Sequence, residues 1–226
     1  MHKILRILLL SFILFSFTSC FELIEDTTLK SDGSGTYKLT VNLSASTPKI
    51  NSIMVMDSIQ GKKVPSKKEL QAELNQYTHL LKENDGISNI TSSLDTDSWV
   101  LKLSLDFKSL THLKDAIIQV SEKISKEPAN DDVKAIVLVH SNNLYKRKIG
   151  ALMPNQWKEK VKSEEAYQKL HEGKCVFIQR FENEISTASS DLLKISKNRK
   201  AAMLQLTPKQ IIDQPSLIDY CITTKK

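Results

Sequence analysis

The sequence predicts an α+β domain, an antiparallel sheet built from hairpins with helices packed on one face. Three observations predict it. First, strictly alternating apolar stretches flank turn-forming residues: Tyr37, Leu39, Val41 and Leu43 in one case, Trp99, Leu101, Leu103, Leu105 and Phe107 in another. Second, two segments carry apolar residues at helical spacing: Leu70, Leu74, Tyr77 and Leu81, then Leu110, Leu113, Ile117, Val120 and Ile124. Third, the 226-residue chain is 40% apolar and 26% charged, and its one long apolar run lies at the N-terminus. That balance excludes a collagen-like or largely disordered chain and a polytopic membrane protein.

The elements follow in order. Leu29 pairs with the stretch from Tyr37 to Leu43 as a hairpin around Ser31-Asp32-Gly33-Ser34-Gly35, which is turn chemistry rather than a phosphate or calcium loop. Thr47-Pro48 opens a helix running to about Ile59. Ser66 and Glu69 form a capping box for the helix through Leu81, which Asn84-Asp85-Gly86 ends. Ile90 to Phe107 is a second hairpin turning at Asp95-Thr96-Asp97, and Ser109 to Ser125 is the strongest helix. Val133 to Val139 reads as a strand that turns at Asn142-Asn143 into Leu144 to Ile149. Short helices are expected around Trp157 and over Ser163 to Glu172, then a central strand from Cys175 to about Glu182. Ser186 to Ser190 reads as loop and Lys200 to Leu206 as strand. A second capping box at Thr207 and Gln210 opens a short helix, and Ile218, Tyr220 and Ile222 form the last strand.

The N-terminus is an address rather than part of this fold. Lys3 and Arg6 precede an apolar stretch, Ile7 to Phe17, too short to span about 30 Å of hydrocarbon but suited to a secretory signal. It ends Phe17-Thr18-Ser19-Cys20. This resembles the lipobox of bacterial lipoproteins, with Phe17 where that family usually has Leu. The resemblance implies that the Cys20 thiol receives a diacylglycerol, that cleavage removes residues 1–19, and that further acylation, such as palmitate, can follow on the new amino group. Two or three acyl chains exceed what stable anchoring requires. Phe21, where Asp would retain such proteins in the inner membrane, implies the outer membrane, with the periplasmic leaflet favoured over the surface. The stretch from Asp32 to Ser44 is also similar to the hairpin that follows the lipobox in small uncharacterised envelope lipoproteins. That likeness implies a place and a shape, not an activity. The expected layout is thus a signal peptide at 1–19, a tether at 20–27 and one α+β domain at 28–226.

The formal charge is +6, and removal of Lys3 and Arg6 leaves 30 basic against 26 acidic side chains. Acids are interspersed with the lysine clusters, so solvated faces and attraction to an anionic membrane are expected, not nucleic acid. Cys175 and Cys221 remain after Cys20. They are read as separate buried thiols, with a disulfide as the alternative if their Cα atoms lie within about 7 Å.

Chemistry-bearing constellations are scarce. The mature chain's histidines, His79, His112, His140 and His171, lack zinc-ligand spacing, and there is neither a Cys-x-x-Cys nor a Gly-x-Ser-x-Gly motif. No catalytic, metal or cofactor residues are therefore assigned. The expectation is a lipid-anchored envelope protein that binds a partner or serves a structural role, with enzyme activity left open. Two alternatives stand: a carrier of a lipid or other apolar ligand in a pocket between sheet and helices, and a hydrolase using His140 or the Asp95/Asp97 pair.

Overall fold

The computed structural model describes residues 21–226 apart from residues 60, 126–127, 130, 153–154 and 164. The fold is α+β as expected, but its strands form two substantial sheets instead of one. The larger has seven strands in the order β11 (Lys194–Ile195), β12 (Ala201–Leu206), β9 (Lys174–Phe181), β1 (Glu22–Leu29), β2 (Gly35–Asn42), β6 (Val100–Phe107) and β5 (Ile87–Asp95). All neighbours are antiparallel except β1 and β9, which run parallel in continuous register from Glu22↔Lys174 to Leu29↔Phe181. The second sheet is fully antiparallel, ordered β10 (Ile185–Ala188), β13 (Tyr220–Thr224), β8 (Leu144–Lys148) and β7 (Val137–Ser141). A two-stranded ribbon, β3 (Ser58–Ile59) with β4 (Lys62–Lys63), stands apart from both.

The register puts Leu29, Leu105, Phe107, Cys175, Phe177, Phe181, Ala202, Leu204 and Leu206 on one face of the large sheet, all buried. Two layers share the covering of that face. The four-stranded sheet covers the β9–β1 part, where Tyr145 packs edge-on against Phe181 at 5.8 Å between ring centroids. Helices α2 (Lys67–Lys82) and α3 (Leu110–Ser125) cover the β6–β5 part. The capping box of α2 forms as the sequence predicts: Ser66 Oγ accepts from the Glu69 amide, and Glu69 accepts from the Ser66 amide.

Several expectations are corrected. The segment 20–27, expected to be a tether, is mostly strand: β1 begins at Glu22, because both its edges are taken up by β2 and β9. The helix expected to reach Ile59 is α1 (Thr47–Met54), followed by the β3–β4 ribbon. The apolar run from Val133 first closes a short helix, α4 (Asp131–Lys134), burying Val133 and Ile136, and only then becomes β7. The helix expected over Ser163 to Glu172 is a tighter 3-10 segment, Glu165–His171. The sequence after α5 (Asn155–Lys162) ends in Gly173, where an added Cβ would lie 2.9 Å from the Phe21 ring. The loop expected at Ser186 to Ser190 contains β10, which pairs with β13 after a register shift between Ile185 and Thr187. Ile218 closes a 3-10 turn that follows α6 (Pro208–Asp213) instead of opening the last strand.

Candidate functional site

An apolar cleft lies where α1 and α2 meet the large sheet. Val41, Leu94 and Leu101 form its floor from β2, β5 and β6, with Leu43 and Trp99 at its end. Ile50 and Met54 of α1 and Leu70, Leu74 and Tyr77 of α2 form the walls. Its volume is about 390 Å³, within the ~300–1,000 Å³ usual for small-molecule sites. Glu73 supplies the one ionisable carboxylate at its edge. Burial, and then Glu73, hold the Tyr77 phenol above its ordinary value. Trp99 is 5% exposed at a backbone φ of 54°, and its indole N–H donates to Asn51 Oδ1 at 2.9 Å, fixing the ring at the end of the cleft. A larger groove, about 960 Å³, follows the other side of α2, but Glu69, Gln76, His79 and Glu83 line it as a solvated furrow.

A polar group of a different kind sits inside the molecule. Glu25 points inward from β1 and meets Arg147 of β8 in a bidentate pair, with the two side chains 12% and 4% exposed. The guanidinium also lies 5.0 Å from the Phe177 ring centroid and 5.8 Å from that of Tyr220. Burial works against the charge on Arg147, but Glu25 and the two neighbouring tyrosines hold its pKa well above the ordinary value. Burial likewise pushes the Tyr220 phenol up to about 12 and Tyr145 further. Among the described residues, the Tyr145 hydroxyl and Arg147 Nε have no hydrogen-bond partner. Apolar and aromatic side chains surround the pair, so it is a structural clamp between the two sheets.

The residues singled out from the sequence are scattered. Cys20 lies outside the described residues. Cys175 and Cys221 are free, not a disulfide. Cys175 is buried on the inner face of the large sheet, where burial raises its thiol to about 11 and makes it inert. Cys221 belongs to the second sheet and alternates with the inward Tyr220 and Ile222, so it is half-buried on the opposite face. His140 is half-buried on β7, its pKa lowered by burial alone. Asp95 is spent on its turn, accepting from the Asp97 and Ser98 amides and the Ser98 hydroxyl, while Asp97 meets Lys67 at 3.2 Å. Asp95 and Asp97 lie at the β5–β6 turn and His140 on β7 of the other sheet, so these residues belong to separate elements. Among the described residues, no three His, Cys, Asp or Glu side chains converge as a metal site.

The sequence offers a pocket between sheet and helices as one alternative, but it assigns no residues to that cleft and does not reveal the buried ion pair. Glu25 shares the alternation Leu23, Glu25, Thr27, Leu29, and Arg147 alternates with Tyr145 and Ile149. A charge in phase with apolar residues was the available signal for each. The cleft requires knowing that α1 and α2 lie on the same face of the sheet, which no local pattern reveals.

No protein-family model matches the chain, and no curated protein matches it. Among solved structures, it is similar to the NMR structure of the folded domain of LppM from Mycobacterium tuberculosis, with a TM-score of 0.40 and 11% identity over 91% of this chain and 90% of that one.

Proposed function

We propose that this is a lipid-anchored protein of the bacterial cell envelope, held through Cys20 at the periplasmic face of the outer membrane, which binds an apolar ligand in the cleft between α1, α2 and the large sheet. The cleft carries the binding reading: eight aliphatic and aromatic side chains from two helices and three strands bound a space of small-molecule size, with Glu73 and the Tyr77 hydroxyl at its edge. Phe17-Thr18-Ser19-Cys20 supports the anchor. Among the described residues, no helix is long and apolar enough to cross a membrane. The reading is one of binding, not turnover.

Native mass spectrometry of protein released from membranes is expected to reveal a co-purifying apolar molecule. Leu101→Trp, which fills the floor of the cleft, should remove that molecule while leaving the far-UV spectrum unchanged. Ligand-free wild-type protein that also takes up no added fatty acid would overturn the carrier reading. Cys20→Ser should abolish labelling by a tritiated acyl precursor and leave an uncleaved chain, whereas equal labelling of mutant and wild type would overturn the anchor.

A further inference from the structure

Three of the six strongly exposed large apolar side chains among the described residues lie within five positions of one another: Val55 (85% exposed), Met56 and Ile59. Val55 and Met56 lie in the turn between α1 and the β3–β4 ribbon, and Ile59 ends β3. Met54 of the cleft wall shares a second surface groove with Val55, Met56, Lys63 and Lys68, so this apolar tip is continuous with the rim of the cleft. The segment from Thr47 to Glu69 holds five lysines against two acids. Of those acids, Glu69 is engaged by Lys63 at 2.7 Å.

The topology places this tip at the anchored end of the molecule. Glu22, two residues after Cys20, pairs with Asn42 at the end of β2, from which the chain leads to α1. Asn42 pairs with Val100, and Val100 with Asp95, so the β5–β6 turn is at this same end. Lys67, the first residue of α2, meets that turn twice: it is paired with Asp97 and lies 5.7 Å from the Trp99 ring centroid. The lysine-flanked tip thus lies at the end of the sheet where β1 begins, and in the sequence only Phe21 separates Cys20 from β1.

We infer that the Val55–Met56–Ile59 tip docks into the interface of an anionic lipid bilayer, with its lysines on the headgroups and the rim of the cleft facing the membrane. Apolar side chains that enter the acyl boundary, flanked by cations, are the chemistry of interfacial binding. The position of the tip relative to Cys20 rests on the lipid-anchor reading, but the tip's own chemistry does not.

The test uses the full chain, purified from membranes and reconstituted into vesicles of phosphatidylcholine with or without phosphatidylglycerol. A fluorophore is placed at Met56→Cys, or at Lys197→Cys in the turn before β12 at the opposite end of the sheet, both in a Cys221→Ser background. In phosphatidylglycerol vesicles, a lipid-borne quencher is expected to reach the label at Met56→Cys and not the one at Lys197→Cys. Lys68→Gln should lower the docked fraction about fivefold relative to the undocked, and Val55→Asp should abolish docking. A label at Met56→Cys that stays open to aqueous iodide in both vesicle types would overturn the proposal. If the chain nevertheless floats with the vesicles, the lipid anchor stands. If it does not float, the anchor fails, and docking is read separately by adding vesicles to the soluble chain. Shielding that requires added envelope proteins would assign the tip to a protein partner and also overturn membrane docking.

Discussion

Arg147 on β8 holds both carboxylate oxygens of Glu25 on β1, and this bidentate pair joins the two sheets across the interior. Removing one partner strands a buried charge, at a cost of about 3–5 kcal/mol. Glu25→Ala should therefore shift the urea midpoint far to the left. Glu25→Leu combined with Arg147→Met should recover most of the loss, since packed apolar residues often replace a buried pair without penalty. A Glu25→Ala loss below about 1 kcal/mol would contradict the clamp.

The cap of α2 predicts a smaller effect. Ser66→Ala should cost about 1 kcal/mol, measured by chemical denaturation. Lys63, and then the Ser66 amide and hydroxyl, hold the Glu69 carboxyl down to about 2. Its folded value lies below its unfolded one, so its contribution is present above the ordinary 4.5 and is lost as pH falls toward 2. Glu69→Gln should flatten the stability curve within that window. An unchanged acid limb would show that the pairing does not persist in solution.

His140 predicts a pH effect near neutrality. Burial lowers its folded pKa below the ordinary 6.5, so the fold prefers the neutral ring. Its contribution is complete above 6.5 and declines as the ring is forced to take a proton at lower pH. Denaturation midpoints should fall between about pH 7 and pH 5, and fall less in His140→Gln. Identical slopes in the two proteins would remove His140 as the cause.

Gly35 opens β2 beside β1, and a Cβ there would lie 2.0 Å from the Thr28 carbonyl oxygen and 2.6 Å from the Phe107 ring. Backbone cannot give way as a flexible side chain would. Gly35→Ala should destabilise by about 3 kcal/mol, whereas Gly61→Ala, which has open space but a φ of 76°, should cost less. Thermal melts of the two variants decide the order.

Where local chemistry sufficed, the sequence was legible. The strict alternation from Leu101 to Phe107, the Ser66/Glu69 and Thr207/Gln210 boxes and the stripe of α3 each carry a periodicity or cap that tertiary contacts only reinforce. The failures came from long-range pairing. β1 reads as a tether because its partner β9 lies about 150 residues away. Two of its acids are met by distant partners: Arg147 takes Glu25, and Arg180 takes Asp26 at 2.8 Å. The division of the hairpins between two sheets was equally hidden, since alternation fixes which residues share a face but not which layer covers it. In the cleft, alternation and helical spacing put the leucines on inward faces, yet α1 leaves part of that apolar surface uncovered.

The break in β5 bears on how these molecules meet one another. Its register shifts between Ser88 and Thr91, with Asn89 turned to a φ of 50°, along the outer border of the large sheet. At the other border, β11 offers only two residues. Neither margin presents a long, regular row of free amides and carbonyls onto which a neighbour's strand could zip. Crowded side by side, copies of this protein find little regular template at the borders of the large sheet, which disfavours ribbon-like stacking through it.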